Sequence, residues 1–122
     1  LLNEFGIKIL SLSDTIGSSE PNVISWLFEK LISEFPDVEF GAHLHTHPEK
    51  WKEKVIAALE AGCKRFDGAL LGFGGCPMAR DQLVGNMPSE HVLSYLIEKK
   101  MIQNISQTAL KEAQNEALTI FN

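Results

Sequence analysis

The chain has 122 residues, 44% hydrophobic and 22% charged, the balance of one globular domain and too short for two. A formal net charge of −5, with no Lys/Arg-rich run, argues against a surface built to neutralise nucleic-acid phosphates. No apolar run approaches membrane-spanning length, and the opening LLNEFGIKIL has neither the basic region nor the cleavage pattern of a signal peptide. The expected location is therefore the cytoplasm, or the mitochondrial matrix in a eukaryote. Two cysteines, Cys63 and Cys76, make no disulfide framework, and in a reducing compartment each is expected as a thiol, buried or reactive.

In chain order, LLNEFG reads as a helix end stopped by Gly6, and IKILSL as a strand whose near-continuous apolar character fits burial on both faces. SSEPNVISWLFEKLISEFPD reads as a helix capped by Ser19, with Pro21 in its first turn and Pro36 as its stop. Its apolar face comprises Val23, Ile24, Leu27, Phe28, Leu31 and Ile32. VEFGAHLH is a second strand. PEKWKEKVIAALEAG is a second helix, with an apolar stripe of Trp51, Val55, Ala58 and Leu59 and with Gly62 as its stop. CKRFDGALL is a third strand, followed by the long glycine-bearing loop GFGGCPMARDQLVGNMP. A helix is expected to start near Ser89, and another to run from Ser106 to the end.

Strands alternating with helices imply a parallel sheet, because parallel neighbours need crossover connections. An open doubly wound sheet and part of a barrel both satisfy this pattern. In either, chemistry gathers beyond the C-terminal ends of the strands. Asp14, the histidines of GAHLHTHPEKW, Asp67 and the Cys76 loop all fall there.

On a strand, His43, His45 and His47 project to one face, since side chains alternate with period two. Such a group can hold a metal, cap a sheet end as satisfied polar residues, or be partly accidental on an exposed edge. His47 precedes Pro48 and is read as starting the turn; His91, in SEHVLSYL, is read as a helix-surface residue. GFGGCPMA does not complete G-x-G-x-x-G, whose last position is Pro77, so a Rossmann nucleotide site is not expected. The loop does carry Cys76 among small residues, a setting that suits a thiol acting on a ligand. Cys63 follows a helix stop and is read as a small core residue. Asp67 fits either a catalytic carboxylate or one that orients its neighbours.

SDTIG, then HLH, then FDGALLGFGGCPMA, then GNMPSE, in this order and spacing, resemble the C-terminal part of the hydroxymethylglutaryl-CoA lyases, TIM-barrel metallolyases, over the chain up to about Tyr95. The cysteine in its GGCP setting is the specific element. The resemblance implies an α/β fold that is a partial (β/α)8 barrel: the last three parallel strands with their helices, with residues 1–122 forming the C-terminal part of one catalytic domain. It implies His43, His45 and Asn86 as ligands of a divalent cation, Mg²⁺ or Mn²⁺, Cys76 as a catalytic thiol, and Asp14 as a catalytic-site carboxylate near substrate. Thr46 followed by HPE departs from the family's usual Asp or Asn and TYG. An Arg-Asp pair that the family carries on its first strand has no counterpart here. A full barrel needs about 250 residues, so the expectation is a piece of a longer enzyme, inactive by itself.

The implied reaction cleaves hydroxymethylglutaryl-CoA to acetoacetate and acetyl-CoA, and a mixed His, Asn and carboxylate set suits Mg²⁺ or Mn²⁺ better than a closed zinc site. The expected partners are an acyl-CoA substrate and either a second copy or the missing barrel half, with no nucleic acid and no membrane. The alternatives are a related aldolase or acyl-CoA condensing enzyme, a different metal-dependent enzyme such as a hydrolase, or a non-catalytic partial-barrel module.

Overall fold

The computed structural model describes residues 4–75 and 84–121. Three apolar runs form the strands β1 (Ile9–Asp14), β2 (Glu39–Thr46) and β3 (Arg65–Asp67), parallel and in the order β1-β2-β3. The crossovers are α1 (Pro21–Glu34) and α2 (Trp51–Glu60). Beyond β3 come a tight turn at Leu70–Gly72, a two-residue strand β4 (Gly85–Asn86), and the helices α3 (Ser89–Glu98) and α4 (Gln107–Phe121). β4 runs antiparallel to β2, pairing His45 with Asn86 and Thr46 with Gly85.

The period-two alternation of the strands divides the sheet into two chemically distinct faces. Leu10, Leu12, Phe40, Ala42, Leu44 and Phe66 point toward the helices, where Ile24 and Phe28 of α1 and Val55 and Ala58 of α2 close the core. Phe28 and Val55 are essentially inaccessible, and each such side chain contributes roughly 1.5–3 kcal/mol by leaving water. By the same register the other face presents Ser11, Ser13, Glu39, Gly41, His43, His45, Arg65 and Asp67. Among the described residues this polar face has no helix on it.

Several local expectations are corrected. β1 is covered on one face only, and Ile9 is 58% exposed because it shares with Ser11 and Ser13 the face that carries no helix among the described residues. Ser19 does not cap α1. The N-cap is Glu20, without a side-chain bond, while the Ser19 N–H is given to Asp14. The third strand is three residues long, since Gly68 packs against the Met87 carbonyl and Ala69 pairs singly with Pro88. As expected, His47 starts the turn: β2 ends at Thr46, and Lys50 N–H bonds the His47 carbonyl. Pro21 and Gly62 behave as expected: Pro21 opens α1, and Gly62, with φ at 95°, turns the chain out of α2. Ser106 caps α4 by accepting the Ala109 N–H. Gly6, with φ at 75°, closes a turn; the helix expected before it falls partly on residues 1–3, outside the described residues. Among the described residues no helix is long and apolar enough to cross a membrane.

Candidate functional site

The C-terminal ends of β1 and β2 are tied together by a buried ion pair that the sequence did not announce. Lys54, on the inward side of α2 and 3% exposed, donates from Nζ to Asp14 Oδ2 at 2.8 Å, to the Gly17 carbonyl at 2.9 Å and to the His45 carbonyl at 2.9 Å. Asp14 also accepts the backbone N–H groups of Ser18 on Oδ1 and Ser19 on Oδ2, both at 3.0 Å. Burial pushes the Asp14 carboxyl upward. The Lys54 hydrogen bond, the Ser19 and Ser18 N–H groups and the Lys54 charge outweigh it, so the net shift is below the usual carboxylate value. Both oxygens of Asp14 are thus engaged within the fold.

The Asp14 backbone acts on the neighbouring histidine. Its carbonyl lies 2.8 Å from His45 Nδ1. A carbonyl only accepts, so in this bond Nδ1 carries the hydrogen and Nε2 keeps the lone pair, the arrangement a metal-ligating imidazole needs. Two residues earlier on the same face, the His43 ring stands edge-on to that of His45, with centroids 5.4 Å apart. His43 is half exposed, and its Nδ1 lies 3.6 Å from Asp67 Oδ2.

Asn86 reaches this group through β4, directly opposite His45 in the register. Its Nδ2 donates to the Phe73 carbonyl at 2.8 Å, which commits the amide nitrogen and turns Oδ1 the other way. The glycines of the preceding loop make this approach possible. Gly72 and Gly74 have φ of 66° and 79°, and a Cβ on Gly85 would sit 2.7 Å from the Gly72 carbonyl. Leu71, also left-handed at φ 57°, has its N–H held by the buried Glu90 carboxylate of α3 at 2.9 Å. A cleft of about 550 Å³ opens here, lined by Thr46, Gly72, Gly74, Asn86, Glu90 and His91.

Of the residues singled out from sequence, His43, His45, Asn86 and Asp14 are therefore brought to one end of the sheet; Cys76 lies outside the described residues. Among the described residues no three His, Cys, Asp or Glu side chains form a metal cluster. The donors that could hold a cation are two imidazoles and an amide oxygen, with His45 Nδ1 and the Asn86 amide nitrogen each engaged by a backbone carbonyl. Cys63 is buried among core residues, its thiol donating to the Arg65 carbonyl at 3.1 Å, and burial pushes its pKa up. Sequence reasoning missed Lys54, Arg65 and Glu90. Lys54 alone left a signal, as a charge within the Trp51, Val55, Ala58 stripe at helical spacing.

A parallel α/β sheet with polar residues gathered at its strand ends is common to TIM barrels and open doubly wound sheets, and likeness to known proteins separates the two. A family model described as HMGL-like matches residues 1–116, and the chain belongs to that family. It is 36% identical over 102 residues to a hydroxymethylglutaryl-CoA lyase of Bacillus subtilis, covering 84% of this chain and 33% of that protein. It is 34% identical over 90 residues to an (R)-citramalyl-CoA lyase of Chloroflexus aurantiacus, covering 74% of this chain and 28% of that one. The crystal structure of a hydroxymethylglutaryl-CoA lyase from Pseudomonas aeruginosa superposes with a TM-score of 0.85 at 30% identity, over 98% of this chain and 39% of that chain. The chain thus spans about a third of the length of the curated relatives it matches, and its open parallel sheet corresponds to part of their TIM barrel.

Proposed function

We propose that this chain, as the C-terminal part of a TIM-barrel catalytic domain, carries the metal-binding and thiol-bearing half of a carbon–carbon lyase. Its substrate is hydroxymethylglutaryl-CoA, cleaved to acetoacetate and acetyl-CoA. The observation that carries the reading is the pairing of His45 with Asn86 across β2 and β4, with His45 Nδ1 tied to the Asp14 carbonyl and the Asn86 amide nitrogen tied to Phe73. Those two bonds leave a ring nitrogen and an amide oxygen as the free donors, beside His43. Mg²⁺ or Mn²⁺ is the cation such neutral N and O donors suit, completed by a carboxylate from elsewhere in the barrel. When bound, the cation acidifies the substrate hydroxyl and fixes its chelating oxygens.

Within this reading, His43, His45 and Asn86 hold the ion, and Cys76 exchanges a proton with the substrate carbon as the bond breaks. Asp14 acts by positioning: its carbonyl sets the His45 tautomer, and its carboxylate anchors the turn after β1. The proposed setting is the cytoplasm, or the mitochondrial matrix in a eukaryote. A second copy or the remaining barrel half covers the polar sheet face, and the chain without it is inactive.

The test is a lyase assay on the protein expressed at the full length of its gene, with Mn²⁺ or Mg²⁺, on hydroxymethylglutaryl-CoA and (R)-citramalyl-CoA side by side. Acetoacetate released from the first, and abolished by EDTA, is the expected result. Turnover of citramalyl-CoA alone overturns the substrate, and EDTA-insensitive turnover overturns the metal.

A further inference from the structure

We propose that Arg65 and Asp67 form a positioning pair for His43, a role that rests on the metal reading above. The pair is built across three strands. Ser11, Gly41 and Arg65 lie in one register row of the polar face, and Ser13, His43 and Asp67 in the next. The Arg65 guanidinium reaches over β2, donating from Nη2 to Ser11 Oγ at 3.0 Å and from Nη1 to Asp67 Oδ1 at 3.3 Å. Its Nε stands 3.1 Å from Glu39 Oε1, close enough for ion pairing but not aligned as a hydrogen bond. Gly41 makes the crossing possible, since a Cβ there would meet the guanidinium carbon at 2.6 Å. Ser11 Oγ in turn donates to Asp67 Oδ2 at 2.9 Å.

Each Asp67 oxygen therefore has a fixed donor, and the carboxylate is held with Oδ2 toward His43 Nδ1 at 3.6 Å. The planar fork of a guanidinium fixes its bonds to Ser11 and Asp67 in one geometry, which the freely rotating donors of an ammonium do not. An acceptor on the Nδ1 side favours the Nδ1–H tautomer and leaves Nε2 as the lone-pair nitrogen. His45 meets the same condition through the Asp14 carbonyl. The two imidazoles, the first and third residues of HLH, thus each have an acceptor on the Nδ1 side, supplied by two unrelated devices. This also decides the question the sequence left open for Asp67: it orients its neighbour.

The experiment uses the protein at full length, with calorimetric Mn²⁺ titration and nitrogen-15 NMR of the imidazoles in the metal-free state. In Asp67→Asn, Arg65 retains the amide oxygen, so the amide N–H₂ faces His43 and reverses its tautomer to Nε2–H. Mn²⁺ affinity should fall by roughly 10–100-fold, while the His45 tautomer stays unchanged, which separates the effect from misfolding. Arg65→Met should weaken Mn²⁺ in the same direction by roughly 10-fold and mix the His43 tautomers. Full rescue by Arg65→Lys overturns the geometric clamp, since charge alone would then suffice. A wild-type protein that binds no Mn²⁺ overturns the metal reading and this role with it. Wild type that binds Mn²⁺, with Asp67→Asn matching it in affinity and tautomer, overturns the positioning pair alone.

Discussion

Lys54→Met is the sharpest probe of how this end of the sheet is held. The ammonium and the Asp14 carboxylate are 3% and 4% exposed, so their interaction is only weakly screened by solvent. Removing Lys54 leaves a buried carboxylate with two backbone N–H donors and no counter-charge, and strips the buried His45 carbonyl and the part-buried Gly17 carbonyl of the Lys54 donor. Breaking one side of a buried pair costs about 3–5 kcal/mol, and the orphaned carbonyls place the expected loss at the upper end of that range. The double variant Asp14→Leu, Lys54→Met should cost no more than Lys54→Met alone, because it removes the stranded charge, giving a coupling at least as large as the cost of Asp14→Leu alone, about 3–5 kcal/mol.

The pH dependence of the same variant follows from linkage. Asp14 has a folded pKa depressed below its unfolded value of about 3.9, so its contribution is fully present above that pH and is lost as pH falls through the lower folded value. Without Lys54 the burial effect gains ground, the folded pKa rises, and the acid loss of stability begins at higher pH. Urea unfolding of the full-length protein from pH 3 to 7 measures both effects. A Lys54→Met protein within about 1 kcal/mol of wild type at pH 7, with an unmoved acid limb, refutes the argument.

Calorimetric titration with Mn²⁺ should rank His43→Ala and His45→Ala as the largest losses, Asn86→Ala as smaller because a neutral amide oxygen is the weaker donor, and His47→Ala as much milder. A His47 effect equal to that of His45 would contradict the end of β2 at Thr46. Cys76→Ser should leave Mn²⁺ affinity nearly unchanged and lower kcat by roughly 10²-fold or more, as read by steady-state kinetics. Cys63→Ser should instead cost about 1–2 kcal/mol of stability, and native Cys63 should resist iodoacetamide, its thiol being buried and its pKa raised. Gly85→Ala forces a methyl against the Gly72 carbonyl, so about 1–3 kcal/mol of strain is expected. Much of that strain should be relieved by shifting Asn86, so Mn²⁺ affinity and thermal stability should fall together.

The element order, the parallel sheet and the core faces of α1 and α2 were legible because each depends on local signals: Pro21 at a helix start, Gly62 at a helix stop, apolar residues at periods of two and of about 3.6. The order of SDTIG, HLH, GGCP and GN carried the family, since a run of short motifs survives as text. His43 and His45 could be put on one face by parity alone. Asn86 could not be put opposite His45 from spacing, because β4 is two residues of antiparallel pairing with no pattern of its own, held in place by the glycine turn beside it. Nor does sequence say that Lys54 turns inward to Asp14, or that Arg65 lies across Gly41 to Ser11 and Asp67. Lys54 and Asp14 are 40 positions apart, Arg65 and Ser11 54, and Ser11 and Asp67 56. Helical spacing puts Lys54 within the apolar stripe of α2, but that its ammonium is sealed against Asp14 comes only from the packing of α2 over the ends of β1 and β2.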